Sequence, residues 1–261
     1  MASEDIELEV DGLRIVGQLY VPQGHGREPS PALCLCHGIP APVPHPPDDG
    51  YPLLAQRFCS EGFVVLFFNF RGTGTSGGNF DLPGWARDLD AAIDFLQHRP
   101  EVDKARLSLM GFSGGAAVAV YQAARDLGVS SLVTCACPAR FSRLRGLGDL
   151  SQFLEQARRT GIVRDHDFPA SLEEWAKGFQ EVSAIRWIDR LAGRPLLIIH
   201  GDGDEVVPPS DAWELYEKAD QPKQISMIQG AGHRIRTDQR AMSTALAWLK
   251  QVNGLDKWRG S

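Results

Sequence analysis

The sequence predicts an α/β protein with a mostly parallel central sheet, an N-terminal antiparallel hairpin and helices on both faces. Three observations carry this prediction. Residues 6–10 and 13–20 alternate apolar and polar side chains around Asp11-Gly12, a tight-turn pair, as a half-buried hairpin does. The short runs beyond it are solidly apolar without alternation, the pattern of strands buried on both faces. Helical segments separate those runs, and such alternation along a whole chain builds a parallel sheet covered by helices. At 261 residues, 43% of them hydrophobic, the chain can bury a core without disulfides or a structural metal, and general disorder is excluded.

After the hairpin, strands are expected at 32–36, 63–70, 107–112, 131–137, 196–200 and 224–229. Helices fall between them near 51–61, 84–98, 114–127, 209–219 and 238–252. The last has Thr237 as its expected N-cap, and Ala241, Leu246, Trp248 and Leu249 form a broken apolar stripe. One interval breaks the rhythm. Residues 139–190 contain no strand pattern, only amphipathic pieces at 144–158 and 172–179. The expected organisation is therefore a core of residues 1–138 and 191–261 carrying a small helical cap insertion, 139–190. Arg140, Arg143, Arg145, Arg158, Arg159 and Arg164 make that insertion basic, most simply as solvated helix faces.

A formal charge of −6 argues against a nucleic-acid or anionic-membrane surface. The apolar run 63–68 is far too short to span a bilayer, and residues 1–10 lack the basic and apolar regions of a signal peptide. The expectation is a cytoplasmic protein without nucleic-acid or membrane partners. Four of five cysteines form two C-x-C pairs, Cys34/Cys36 and Cys135/Cys137, each inside a strand-like run. Period-two geometry puts each pair on one face, as small buried hydrophobes in a reducing compartment. His37 is the only nearby ligand type, so no metal is expected. No cofactor is expected either, because no G-x-G-x-x-G after a first strand, H-E-x-x-H or P-loop occurs. Five prolines between residues 40 and 50 stiffen a long loop, whose His45 either meets a ligand or is solvated.

Gly111-Phe112-Ser113-Gly114-Gly115 ends a predicted strand and opens a small-residue helix, the strand–turn–helix setting of a G-x-S-x-G nucleophile elbow. Glycines flank the serine because side chains there would strike neighbouring elements. A glycine-rich turn of this kind can also be structural or hold phosphate. A serine nucleophile needs a base and an orienting acid. Gly201-Asp202-Gly203-Asp204-Glu205 follows one predicted strand, and Gly230-Ala231-Gly232-His233 follows the last. Alone, His233 reads as a loop histidine; serine, acid and histidine in this chain order read as a triad.

With these motifs the chain resembles the α/β-hydrolase superfamily over almost its whole length. The family pattern H-G-x-x-D-x-x-V falls on His200, Gly201, Asp204 and Val207. That match implies Asp204 as the acid and leaves Asp202 to support the loop. Arg71-Gly72-Thr73-Gly74-Thr75-Ser76 resembles the family's R-G-x-G-x-S turn, a structural element, with Asn69 where relatives commonly carry Asp. The oxyanion hole would use the N–H of Gly114 and, from the likeness of His37-Gly38-Ile39 to the family's H-G-x, that of Ile39. His37 is then expected to brace its loop.

The layout resembles cinnamoyl or feruloyl esterases and the serine aminopeptidase/monoacylglycerol lipase group. The resemblance implies hydrolysis of a small or medium carboxylic ester through an acyl-enzyme. Phe141, Leu144, Phe153 and Trp175 would line the acyl pocket or else pack the cap onto the body. A peptidase or amidase would use the same triad, with Glu155, Asp165 or Asp167 facing the site. Lyase or haloperoxidase-like chemistry can share the fold. A noncatalytic binding module is the reading from another class, and it predicts a missing triad member. The expected partner is a small-molecule ester; monomer and homodimer are both compatible with the sequence.

Overall fold

The computed structural model describes residues 1–23, 28–40, 50–143 and 149–255. Strands β1 (Ala2–Val10) and β2 (Leu13–Val21) form the predicted hairpin, paired from Ala2↔Val21 to Val10↔Leu13. Asp11 and Gly12 both take positive φ, 54° and 72°, the requirement of the tight turn that matches strand twist. β1 begins four residues earlier than the alternation indicates, because residues 2–5 join the ladder while staying exposed.

The chain then lays down β3 (Ser30–Cys36), α1 (Gly50–Ser60), β4 (Val64–Phe68), α2 (Leu82–Gln97), β5 (Val102–Phe112), α3 (Gly114–Ala123) and β6 (Ser131–Cys135). Beyond them come α4 (Leu150–Arg159), α5 (Leu172–Glu181), β7 (Leu196–Gly201), α6 (Pro209–Lys218), β8 (Lys223–Ile228) and α7 (Gln239–Val252). The eight strands make one sheet in the order β1-β2-β4-β3-β5-β6-β7-β8, parallel from β4 onward. β8 lies at its far edge, paired with β7.

Alternate residues of the central strands feed two cores. Cys34, Leu66, Leu109, Leu132 and Ile198 face α2, α3 and α6, whereas Leu35, Val65, Met110, Val133 and Ile199 face α1 and α7. Both faces are apolar, which is why these strands read as unbroken hydrophobic runs. All five cysteines are buried free thiols. Cys34 and Cys36 share a face as expected, but Cys135 and Cys137 do not. β6 stops at Cys135, and Ala136, at φ 50°, turns the chain and sends Cys137 to the opposite core.

Between β6 and β7 lie α4, α5 and short 3-10 turns at Phe141–Arg143, Ala184–Arg186 and Ile188–Arg190. Asp149 and Ser171 cap α4 and α5 by accepting backbone N–H groups. The cap of α7 corrects the sequence reading. Asp238 accepts from the N–H groups of Arg240 and Ala241, while Thr237 donates to Arg234 O and closes the preceding 3-10 turn. The arginines of this stretch also do more than face solvent. Arg164 donates to Gly72 O, Gly74 O and Ser76 O, at 3.3, 3.0 and 2.6 Å, tying the α4–α5 connection to the 70–77 turn. Arg158 donates to His166 O and Phe168 O at 3.0 and 3.1 Å. Leu144, Arg145 and the proline-rich loop with His45 lie outside the described residues.

Candidate active site

The strand order reverses at β3, whose neighbours β4 and β5 carry the chain away in opposite directions. Open α/β sheets form their ligand crevice at the carboxyl ends of the strands flanking such a point. Cys36 is paired with Gly111 there, so the segment 37–39 and Ser113 leave the sheet side by side.

Ser113 has φ 50° and ψ −123°, a strained conformation for a residue with a side chain. Its N–H donates to Cys135 O at 2.8 Å. The flanking glycines have the steric reason the motif suggests. A Cβ at Gly111 would fall 2.4 Å from Ala116 Cα, and one at Gly115 would fall 2.1 Å from His37 O. The turn therefore closes with the serine at its apex, over the N-terminus of α3.

Two further loops converge on it. Beyond β8, Gly230 takes φ 71° and its N–H donates to Asp202 Oδ1 at 2.6 Å, aiming the segment that ends in His233. Beyond β7, Asp204 lies with its side chain fully buried. Asp204 Oδ2 accepts from His233 Nδ1–H at 2.9 Å, and His233 Nε2 lies 3.1 Å from Ser113 Oγ. The first bond selects the tautomer that leaves Nε2 free to accept the serine hydroxyl. Asp204 Oδ1 accepts from the N–H groups of Val206 and Val207, each at 2.9 Å. Burial alone would raise the Asp204 pKa. Hydrogen bonds from His200, His233 and Val207 outweigh it and hold the carboxyl well below the usual carboxylate range.

His200 is the residue the motif reading left without a role. It is wholly buried, and its Nε2 stands 3.3 Å from Asp204 Oδ2 and 3.1 Å from Val207 O. Its four-residue spacing from Asp204 was the available clue. Asp202 makes the backbone contact described above and takes no part in the Asp204–His233–Ser113 chain.

Ile39 adjoins Gly114: a Cβ on that glycine would lie 2.8 Å from Ile39 Cγ1 and 3.7 Å from Ile39 N. His37 braces this loop. Its Nδ1–H donates to Gly38 O at 2.7 Å, and its Nε2 accepts the Phe70 N–H at 3.1 Å. Burial among Phe70, Trp85 and Tyr51 lowers its pKa to about 4, so it stays neutral and keeps one acceptor nitrogen. The loop is thereby fastened to the turn that follows β4. In that turn the buried Arg71 pairs with the buried Asp88 of α2 at 2.7 Å.

A cavity of about 540 Å³ opens onto Ser113 and His233, walled by Ile39, Tyr51, Phe67 and Phe112. Sequence reasoning did not single out Tyr51 or Phe67. They stack at 5.0 Å and 4°, and the Arg236 guanidinium covers the Tyr51 ring at 4.5 Å. Burial pushes the Tyr51 phenol up to about 12, keeping it protonated. Phe67 lies one residue before the carboxyl end of β4 and Tyr51 is the second residue of α1; closeness to strand and helix ends is the signal that could have marked them.

Of the two placements open to Phe141, Phe153 and Trp175, the structure shows packing among aromatic rings. Phe153 stacks on Trp175 at 5.8 Å, Phe141 meets Phe179 at 5.6 Å, and the cluster closes on Phe80 of the body. Trp175 Nε1–H donates to Phe80 O at 3.2 Å. Phe141, Phe153 and Trp175 are at most 7% exposed and line no part of the Ser113 cavity. Apolar faces of α4 and α5 bury one another in the same core as α2, and these rings pack there.

A serine on a strained strand–helix turn, facing a histidine and a buried aspartate on successive strand ends, is the arrangement that α/β hydrolase folds carry. The family model described as the alpha/beta hydrolase family matches residues 35–244, and the chain belongs to that family. It is 29% identical over 235 residues to the uncharacterized protein Rv2307c of Mycobacterium tuberculosis, covering 89% of this chain and 73% of that one. Among solved structures it is similar to the alpha/beta hydrolase GrgF from Penicillium sp. sh18, with a TM-score of 0.73 at 20% identity over 97% of this chain and 100% of that one. The esterase domain of a Rhodothermus marinus protein matches with a TM-score of 0.69 at 22% identity, over 96% and 99% of the two chains. Identities this low show a shared fold. No helix among the described residues is long and apolar enough to cross a membrane.

Proposed function

We propose that the protein is a serine hydrolase acting on small or medium carboxylic esters. The observation that carries this reading is the unbroken hydrogen-bond chain Asp204–His233–Ser113 at the wall of the 540 Å³ cavity. In the first half-reaction His233 Nε2 takes the Ser113 hydroxyl proton as Oγ bonds to the ester carbonyl carbon. The carbonyl electron pair moves to oxygen, where in this reading the N–H groups of Gly114 and Ile39 stabilise the charge. Collapse breaks the bond to the alcohol, which leaves with the proton from His233. Water then repeats the sequence on the acyl-enzyme and releases the acid. Asp204 keeps Nδ1 protonated and stabilises the transient imidazolium. Residues 139–190 act in this reading as a cap over a core of 1–138 and 191–261.

A peptidase reading would need an acid facing the cavity. Asp165 accepts from Asn79, Glu155 pairs with Arg158, and Asp167 is fully exposed beside His166. None of the three lines the cavity, which favours the ester.

The test is fluorophosphonate labelling read by intact mass and peptide mapping, alongside p-nitrophenyl esters and aminoacyl anilides. One adduct on Ser113 with ester turnover is the expected result. Turnover of anilides alone would move the assignment to a peptidase, and no adduct would remove the catalytic reading.

A further inference from the structure

Asn69 stands at the carboxyl end of β4 and lines two cavities at once. One is the cavity beside Ser113, and the other, of about 440 Å³, lies against the N-terminal hairpin. Phe67 is the other residue shared by both linings. The Asn69 backbone is fixed on either side, its N–H donating to Val16 O at 2.9 Å and its carbonyl accepting from Ser76 Oγ at 2.6 Å. Gly74, at φ 52°, makes room for the side chain, since a Cβ there would fall 2.6 Å from both Cγ and Nδ2 of Asn69.

A carboxamide offers two donors and an acceptor, and a half-buried one is ordinarily satisfied. The chain has three asparagines. Asn79 donates to Asp165 and accepts two N–H groups, and Asn253 donates to Ser108 Oγ and Leu249 O. The Asn69 carboxamide, by contrast, makes no hydrogen bond among the described residues. The hairpin cavity that it opens onto is walled by polar groups already paired with one another. Gln18 donates to Asp5 at 2.9 Å and accepts from Tyr20 at 2.6 Å, and Arg14 pairs with Glu7. A substrate reaching from Ser113 past Phe67 therefore meets an idle carboxamide at the mouth of a polar cavity whose other groups are already paired.

From this we infer that Asn69 is a specificity-determining residue that binds an uncharged hydrogen-bonding group of the substrate. The substrate class is an ester with an ether- or hydroxyl-bearing extension, threaded over Phe67 into the hairpin cavity. The inference rests on the serine hydrolase reading.

Two fluorophosphonates with tails of equal length, one tetra(ethylene glycol) and one alkyl, test it on the full chain. The quantity read is the ratio of their second-order rate constants for labelling Ser113. Asn69→Leu removes the donors at similar volume, and Asn69→Asp removes them in the same shape should leucine disturb folding. Either variant is expected to lower the glycol-to-alkyl ratio about fivefold, the loss of one net hydrogen bond. An unchanged ratio, including equal slowing of both probes, overturns the role of Asn69 and leaves the hydrolase reading intact. Absence of any Ser113 adduct in the wild type overturns that reading and this inference with it.

Discussion

At Ser113 one strained backbone conformation aims a hydroxyl at a histidine on another loop. Ser113→Ala keeps the turn and removes the hydroxyl that the proposed function assigns as nucleophile. Ester turnover is expected to fall by several orders of magnitude with the melting temperature unchanged, measured by initial rates and thermal unfolding. The two aspartates of the 201–205 loop separate cleanly. Asp204→Asn removes the acceptor that sets the His233 tautomer and should lower kcat about 10⁴-fold. Asp202→Asn keeps an oxygen for the Gly230 N–H and should change kcat less than about twofold. The reverse ranking would move the acid to Asp202. These residues were legible because each sits in a short pattern with its own steric logic. His200 was harder to assign, since its role is a contact made only once the loop folds back on the strand end.

Among the elements, what the sequence concealed was which surfaces the apolar stripes join. The α4 and α5 stripes were visible, yet nothing in them distinguished lining a pocket from packing on Phe80. The α7 cap was misread by one residue because threonine and aspartate are both good capping types. Geometry decided, with Thr237 already committed to Arg234 O. Asp238→Ala should therefore cost about 1 kcal/mol in denaturant unfolding and Thr237→Ala close to nothing. A larger effect belongs to α2. Asp88→Ala leaves the Arg71 guanidinium buried without its main partner, a loss of about 3–5 kcal/mol. A cost below 1 kcal/mol would mean that Asp11, the other carboxylate on Arg71, replaces it.

For the whole molecule, the fold class came through because a sheet buried on both faces writes continuous apolar runs into its strands. The pairing order and the exposed start of β1 could not, since backbone ladders place no demand on exposed side chains. Acid stability is also a property of this scale. Burial lowers the His37 pKa from 6.5 to about 4, so the unfolded chain binds the proton more readily. The corresponding stability is complete above pH 6.5 and declines as pH falls toward 4, by about 3 kcal/mol at most. Asp204 is also depressed, and its contribution is lost only as pH falls below the ordinary carboxylate value of 3.8. Urea midpoints between pH 7 and 4.5 should fall more steeply for the wild type than for His37→Gln, and parallel slopes would remove His37 as the cause.

The position of β8 at the sheet's edge sets an order of events on warming. Ser113 hangs from β5 in the middle of the sheet, whereas His233 follows a strand paired on one side only. Partial opening releases weakly held units first. A warmed sample would thus lose the His233–Ser113 contact while its centre is still folded, and on the proposed function cooling would restore turnover without any refolding of the core. Inactivation would run ahead of the far-ultraviolet circular dichroism change, with amides of β8 exchanging before those of β5. The catalytic lifetime of the molecule would then be set by its rim.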